Sequence, residues 1–132
     1  MTLKIILDSN FLFVPAQFRL DIFEALTTLI GQRYYPIVLS TTKDELRKMA
    51  EKEAPKLRKQ ARMALELSEK CQLALVERRT EESNDDVIVR VAAQWRCPVA
   101  TNDSELRRRL RDISIPVVYL RQKSRLELEG SL

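Results

Sequence analysis

The 132-residue chain contains no histidine. That removes the commonest general base, and with it any Ser-His or Cys-His catalytic pair. It also comes close to excluding a tetrahedral zinc centre, because the only cysteines, Cys71 and Cys97, lie far apart and neither has a CxxC partner. Both read as reduced, mostly buried thiols. Glycine is nearly as scarce. With Gly31 and Gly130 alone, no glycine-rich phosphate cradle of the P-loop or Rossmann kind can be built. Aromatic residues make up 6% of the chain, too few for extensive base stacking. No apolar run approaches the length needed to span a bilayer. The N-terminus lacks the apolar region and small-residue cleavage site of a secretory signal, so the expected location is the cytoplasm.

What is present is 45% hydrophobic and 32% charged, with a net charge of +4. A core can be buried under a heavily ionised surface. The mild basic excess is compatible with a nucleic-acid partner without identifying one. Any catalysis has to come from carboxylates, lysines or a metal.

Short apolar runs alternate with helical periodicity. Ile5-Ile6-Leu7 stops at Asp8 and reads as a strand buried inside a parallel sheet. Residues 18–30 carry apolar side chains at helical spacing, with Gly31 as the stop. Strands are expected at 36–39, 73–76, 98–100 and 116–120. Helices are expected at 41–53, from Pro55 to about Lys70, at 85–95 and at 103–111. This pattern predicts an α/β fold in three layers, with a mostly parallel five-stranded sheet flanked by helices. It gives a single domain over 1–132, with its core in 1–120 and a tail at 121–132, where 125–129 alternates like an exposed strand.

Open parallel sheets bind ligands beyond the carboxyl ends of their strands. The polar residues at those ends are Asp8-Ser9-Asn10, then Ser40-Thr41-Thr42 with Glu45 one turn on, then Ser83-Asn84-Asp85-Asp86, then Thr101-Asn102-Asp103-Ser104. Four successive units thus deliver carboxylates to one edge, which packing does not require. Each has a plainer reading as well. Glu45 follows Thr42 at capping-box spacing, Asp85 and Asp86 suit a helix N-terminus, and Asp103 can be an N-cap. Asp8 follows a strand with no helix expected there, so a buried charge at this position needs a partner. Clustered carboxylates repel and call for cations. Hard oxygen ligands without histidine or thiolate point to Mg²⁺ or Mn²⁺, and such an ion suits phosphoryl transfer or hydrolysis.

These residues resemble the PIN-domain ribonuclease family. The matching stretches are Leu7-Asp8-Ser9-Asn10, Thr42-Lys43-Asp44-Glu45-Leu46, Asn84-Asp85-Asp86-Val87-Ile88 and Ala100-Thr101-Asn102-Asp103, and the likeness runs from Ile5 to Leu120. It is nearest to the branch of ribosomal-RNA-processing PIN nucleases and somewhat less near to VapC-type toxins. The resemblance implies that Asp8, Glu45, Asp85 and Asp103 bind one or two Mg²⁺ or Mn²⁺ ions and that an activated water cuts single-stranded RNA. Asp86 is the alternative to Asp85, and Ser9, Asn10, Thr101 and Asn102 would orient the carboxylates. Implied partners are RNA, a second copy of the chain, and an antitoxin or a ribosome-assembly factor.

Basic residues crowd three places: Arg107 to Arg111, Lys56 to Arg62, and Arg121 to Arg125. A solvated helix face accounts for any one cluster. The helix that starts beside Asp103 places Arg107, Arg108 and Arg111 as candidate phosphate contacts. A receiver domain is disfavoured, because the first strand ends in one acid and Arg121 rather than a lysine follows the fifth. A non-catalytic RNA-binding or scaffold module on the same fold is the other reading.

Overall fold

The computed structural model describes residues 3–132. Its elements in order are β1 (Leu3–Leu7), α1 (Ser9–Leu12), α2 (Val14–Phe18), α3 (Ile22–Ile30), β2 (Tyr34–Leu39), α4 (Ser40–Lys52), α5 (Pro55–Ser68), β3 (Gln72–Ala74), α6 (Asn84–Trp95), β4 (Val99–Ala100), α7 (Ser104–Asp112), β5 (Val117–Arg121) and β6 (Arg125–Glu129). The sheet order is β3-β2-β1-β4-β5-β6. All pairings are parallel except β5 with β6.

Strand side chains alternate between faces, and this sorts the core into two halves. Ile5, Leu7 and Val38 pack with α1 to α5 on one face. Ile6, Ile37 and Leu39 pack with Val87, Ile88, Val91 and Ala92 of α6 and with Leu106 and Leu110 of α7 on the other. The three-layer α/β architecture therefore matches expectation. Among the described residues, no helix is long and apolar enough to cross a membrane.

Three local expectations are corrected. The sheet has six strands rather than five, because the tail pairs antiparallel with β5 and buries Leu126 against the core. The first long helix begins at Ile22 instead of Phe18. Asp21 caps it by accepting from the Phe23 and Glu24 amides, and Arg19, at φ 55°, ends the preceding helix α2. A helix does begin after Asp8: α1 is a single turn whose first amide, that of Ser9, is capped by the Asp8 carboxylate. Residues 9–18 hid these two short helices because Phe11-Leu12-Phe13-Val14 is apolar on every side and so shows no period.

Candidate active site at the carboxyl edge of the sheet

After β1 the chain builds outward through β2 to β3, then crosses over to β4 on the other side of β1. The reversal puts a topological switch point at the carboxyl ends of β1 and β4, the kind of place where open α/β sheets bind ligands. Asp8 sits there, 5% exposed. Its Oδ1 accepts from the Ser9 amide at 2.8 Å and its Oδ2 from the Thr101 hydroxyl at 2.8 Å. Burial pushes the carboxyl up to about 6. Those two hydrogen bonds pull it down, and the charges of Asp85 and Glu45 add to the rise.

The four expected acids are brought to this edge by different devices. Glu45 is one turn into α4. That helix starts at Ser40 with Leu39 as its N-cap, so Thr42 is already inside it and the capping-box reading of Glu45 fails. Glu45 instead accepts a hydrogen bond from the Asn84 side-chain amide. Asp103 does cap α7, its Oδ1 accepting from the Glu105 and Leu106 amides, which leaves Oδ2 uncommitted among the described residues. The Asp85 carboxyl has no hydrogen-bond or ion-pair partner among the described residues. Burial raises it first, then Asp103, with Glu45 and Asp86 adding, while Arg109 opposes them.

Asp86 behaves differently. Its Oδ2 accepts from the Ser83 amide in a capping box, and its Oδ1 pairs with Arg109 at 2.9 Å. The Ser83 hydrogen bonds and Arg109 hold it below the usual carboxylate range. Both oxygens are therefore committed to the helix start and to α7.

The expected supporting residues form one network. Asn10 Oδ1 accepts from the Asn102 amide at 3.0 Å, and the Thr101 hydroxyl accepts from the Asp103 amide at 3.1 Å. Asn102 Oδ1 accepts from the Leu120 amide at 2.8 Å. The loops after β1 and β4 are thereby stapled to each other and to β5. Ser9 contributes its amide.

The arginines of α7 divide otherwise than expected. Arg107 stacks on Tyr119, its guanidinium carbon 3.6 Å from the ring centroid, and faces Glu129 at 3.8 Å. Arg108 lies between Glu105 and Asp112. Only Arg111 of the three lacks a carboxylate partner among the described residues. Arg109, outside the expected set, is the arginine that reaches the acids. Asn84 was likewise missed; it sits in the same sequence run as Asp85, but its bond to Glu45 depends on how α6 meets α4.

A model of the family described as PIN like domain matches residues 5–123. The chain belongs to the PIN-like domain family. Ribonuclease VapC4 of Methanocaldococcus jannaschii is 25% identical over 127 residues, 96% of this chain and 97% of that protein. Ribonuclease VapC9 of Archaeoglobus fulgidus is 28% identical over 124 residues, 94% of this chain and 87% of that one. Among solved structures, the PIN domain endonuclease Utp24 superposes with a TM-score of 0.81 at 27% identity, covering 98% of this chain and 92% of that one. VapBC-1 from nontypeable Haemophilus influenzae shares the PIN-like fold at 16% identity and a TM-score of 0.60, over 83% of this chain and 94% of that one.

Proposed function

We propose that this PIN-like chain is a Mg²⁺- or Mn²⁺-dependent endoribonuclease acting on single-stranded RNA. The observation that carries the reading is Asp8, a nearly buried carboxyl oriented by Thr101 at the sheet's topological reversal, with Asp85 and Glu45 close enough to raise it. A buried acid whose neighbours are acids is disfavoured as an anion unless a cation joins them. The relatives named ribonuclease and endonuclease support the same chemistry.

The donor set fits a hard divalent ion, since it offers only oxygen and Asp85 has no competing partner among the described residues. No three of these acids converge as a ready-made metal cluster among the described residues. Mg²⁺ does not demand one, because it keeps several waters and takes one or two carboxylates directly. Asp8, Glu45, Asp85 and Asp103 would hold the ion; Asp86, committed on both oxygens, would not. When bound, the ion supplies an activated water and charge stabilisation on the phosphodiester. Around it, Ser9 and Thr101 fix the Asp8 oxygens, Asn84 fixes Glu45, and Arg109 counters the charge on Asp85.

The VapC names of two relatives and the VapBC neighbour favour an antitoxin partner, and the likeness to the endonuclease Utp24 favours an RNA-processing role. Co-purification with the product of the adjacent gene separates the two. The enzyme reading is tested by titrating Mg²⁺ and Mn²⁺ into a single-stranded RNA cleavage assay with the wild type and Asp8→Asn. Cleavage should require the ion and be lost in the variant. Metal-independent cleavage, or an undiminished variant, overturns the carboxylate-held metal reading, and no cleavage at any ion concentration returns the chain to a binding or scaffold module.

A further inference from the structure

One face of α4 carries Thr41, Glu45, Lys48 and Lys52, spaced so that they stack along the helix. At about 1.5 Å per residue the row is about 16 Å long. Facing it are Val76, Arg78 and Asn84, and between the two walls lies an open polar cavity of about 480 Å³ that includes Glu45. We propose that this groove is the path of the RNA backbone into the acid site, with Lys48, Lys52 and Arg78 as its phosphate contacts. The inference rests on the ribonuclease reading and adds where the strand lies.

The cations here are uncommitted. Lys48 and Lys52 are exposed and form no ion pair among the described residues. Among the described residues Arg78 donates only to neutral groups, the Glu82 carbonyl and the Asn84 side chain. Of the three acids lining the groove, Asp44 is engaged by Arg47 at 3.1 Å, Glu45 belongs to the site, and Glu53 lies past the far end of α4.

The wall bearing Arg78 is also preorganised. Arg90 clamps Glu82 with both Nε and Nη2, at 2.9 and 3.0 Å, and donates to the Glu77 carbonyl as well. At the inner end, the Thr41 hydroxyl is buried without a partner, an acceptor and donor that a ligand or water has to satisfy. On α7, by contrast, Arg107 and Arg108 already have carboxylate partners.

The test is the salt dependence of RNA binding, measured in an Asp8→Asn background so that the strand stays intact. Each lost contact to a single strand should flatten the slope of log K against log salt by about 0.7. Lys48→Gln/Lys52→Gln should therefore reduce it by about 1.4 with an unchanged thermal melt, whereas Arg108→Gln/Arg111→Gln should leave it as it was. An unchanged slope in the lysine pair, or a slope lost instead in the α7 pair, overturns the proposal even if metal-dependent cleavage is intact. Failure of the ribonuclease reading shows separately, as absence of Asp8-dependent cleavage by the otherwise wild-type chain.

Discussion

The Thr101 hydroxyl donates to Asp8 Oδ2 at 2.8 Å across a separation of 93 residues. The Thr101 oxygen also accepts from the amide of Asp103, so one side chain ties the first of the four site acids to the last. Thr101 is fully buried, and Thr101→Val keeps its shape while deleting both bonds and the longer one to Asn10 Oδ1 at 3.3 Å. Leaving Asp8 Oδ2 and the Asp103 amide without their partner should cost about 1–3 kcal/mol in denaturant unfolding. Cleavage should fall about 10- to 100-fold, as expected for a group that orients a metal ligand. Thr101→Ser should restore both. A valine variant with wild-type cleavage would show that Asp8 is held by something else.

Asp8 gives a pH dependence with a definite sign. Its carboxyl sits at about 6 in the folded chain against an ordinary 3.8. Folding therefore favours the protonated form. The cost of the buried charge is absent near pH 4, grows as the pH climbs through 6, and is constant above that. At about 1.4 kcal/mol per pH unit, the full cost approaches about 3 kcal/mol. In EDTA, Asp8→Asn should melt above the wild type at neutral pH and alongside it near pH 4. A variant less stable at both pH values would mean that the carboxylate is compensated by something other than protonation.

Much of this site could be read before the structure, and its limits are physical. Ile5-Ile6-Leu7 running into Asp8 announces a buried strand with a charge at its end, and the spacing of Val87, Ile88, Val91, Ala92 and Trp95 announces α6. Such features are local. Which arginine of α7 meets the acids is not. Arg107 and Arg109 flank the buried Leu106 and Leu110 on opposite sides, and only the packing of the helix turns Arg109 towards Asp86 and Arg107 towards Tyr119. The role of the tail was illegible for the same reason. Alternation in 125–129 suggests a strand, but pairing with β5 is what buries Leu126 and brings Glu129 near Arg107.

That packing assigns Arg107 a structural role that can be measured. Arg107→Ala removes the stack on Tyr119 and the contact with Glu129, whose Oε1 is already buried without a partner. A loss of about 1–2 kcal/mol is expected. The salt slope of RNA binding should not change. A flattened slope with unaltered stability would return Arg107 to the RNA contacts expected from sequence.

Adjacent acids at the start of α6 offer a sharper comparison, because substitution to asparagine changes little but charge. Asp85 makes no hydrogen bond among the described residues and is raised by burial and by Asp103, so it is available to a cation. Asp86 is spent on Ser83 and Arg109. Asp85→Asn should lower metal-dependent cleavage by about 100-fold or more, since a lost ligand should weigh at least as much as a lost supporting group. It should also shrink the rise in Tm that Mg²⁺ produces by binding the folded state. Asp86→Asn should lower the metal-free Tm modestly through the weakened cap and the lost ion pair, while the Mg²⁺-induced rise and most of the cleavage persist. The two responses exchanged would make Asp86 the ligand, and would require Arg109 to release it when the ion binds.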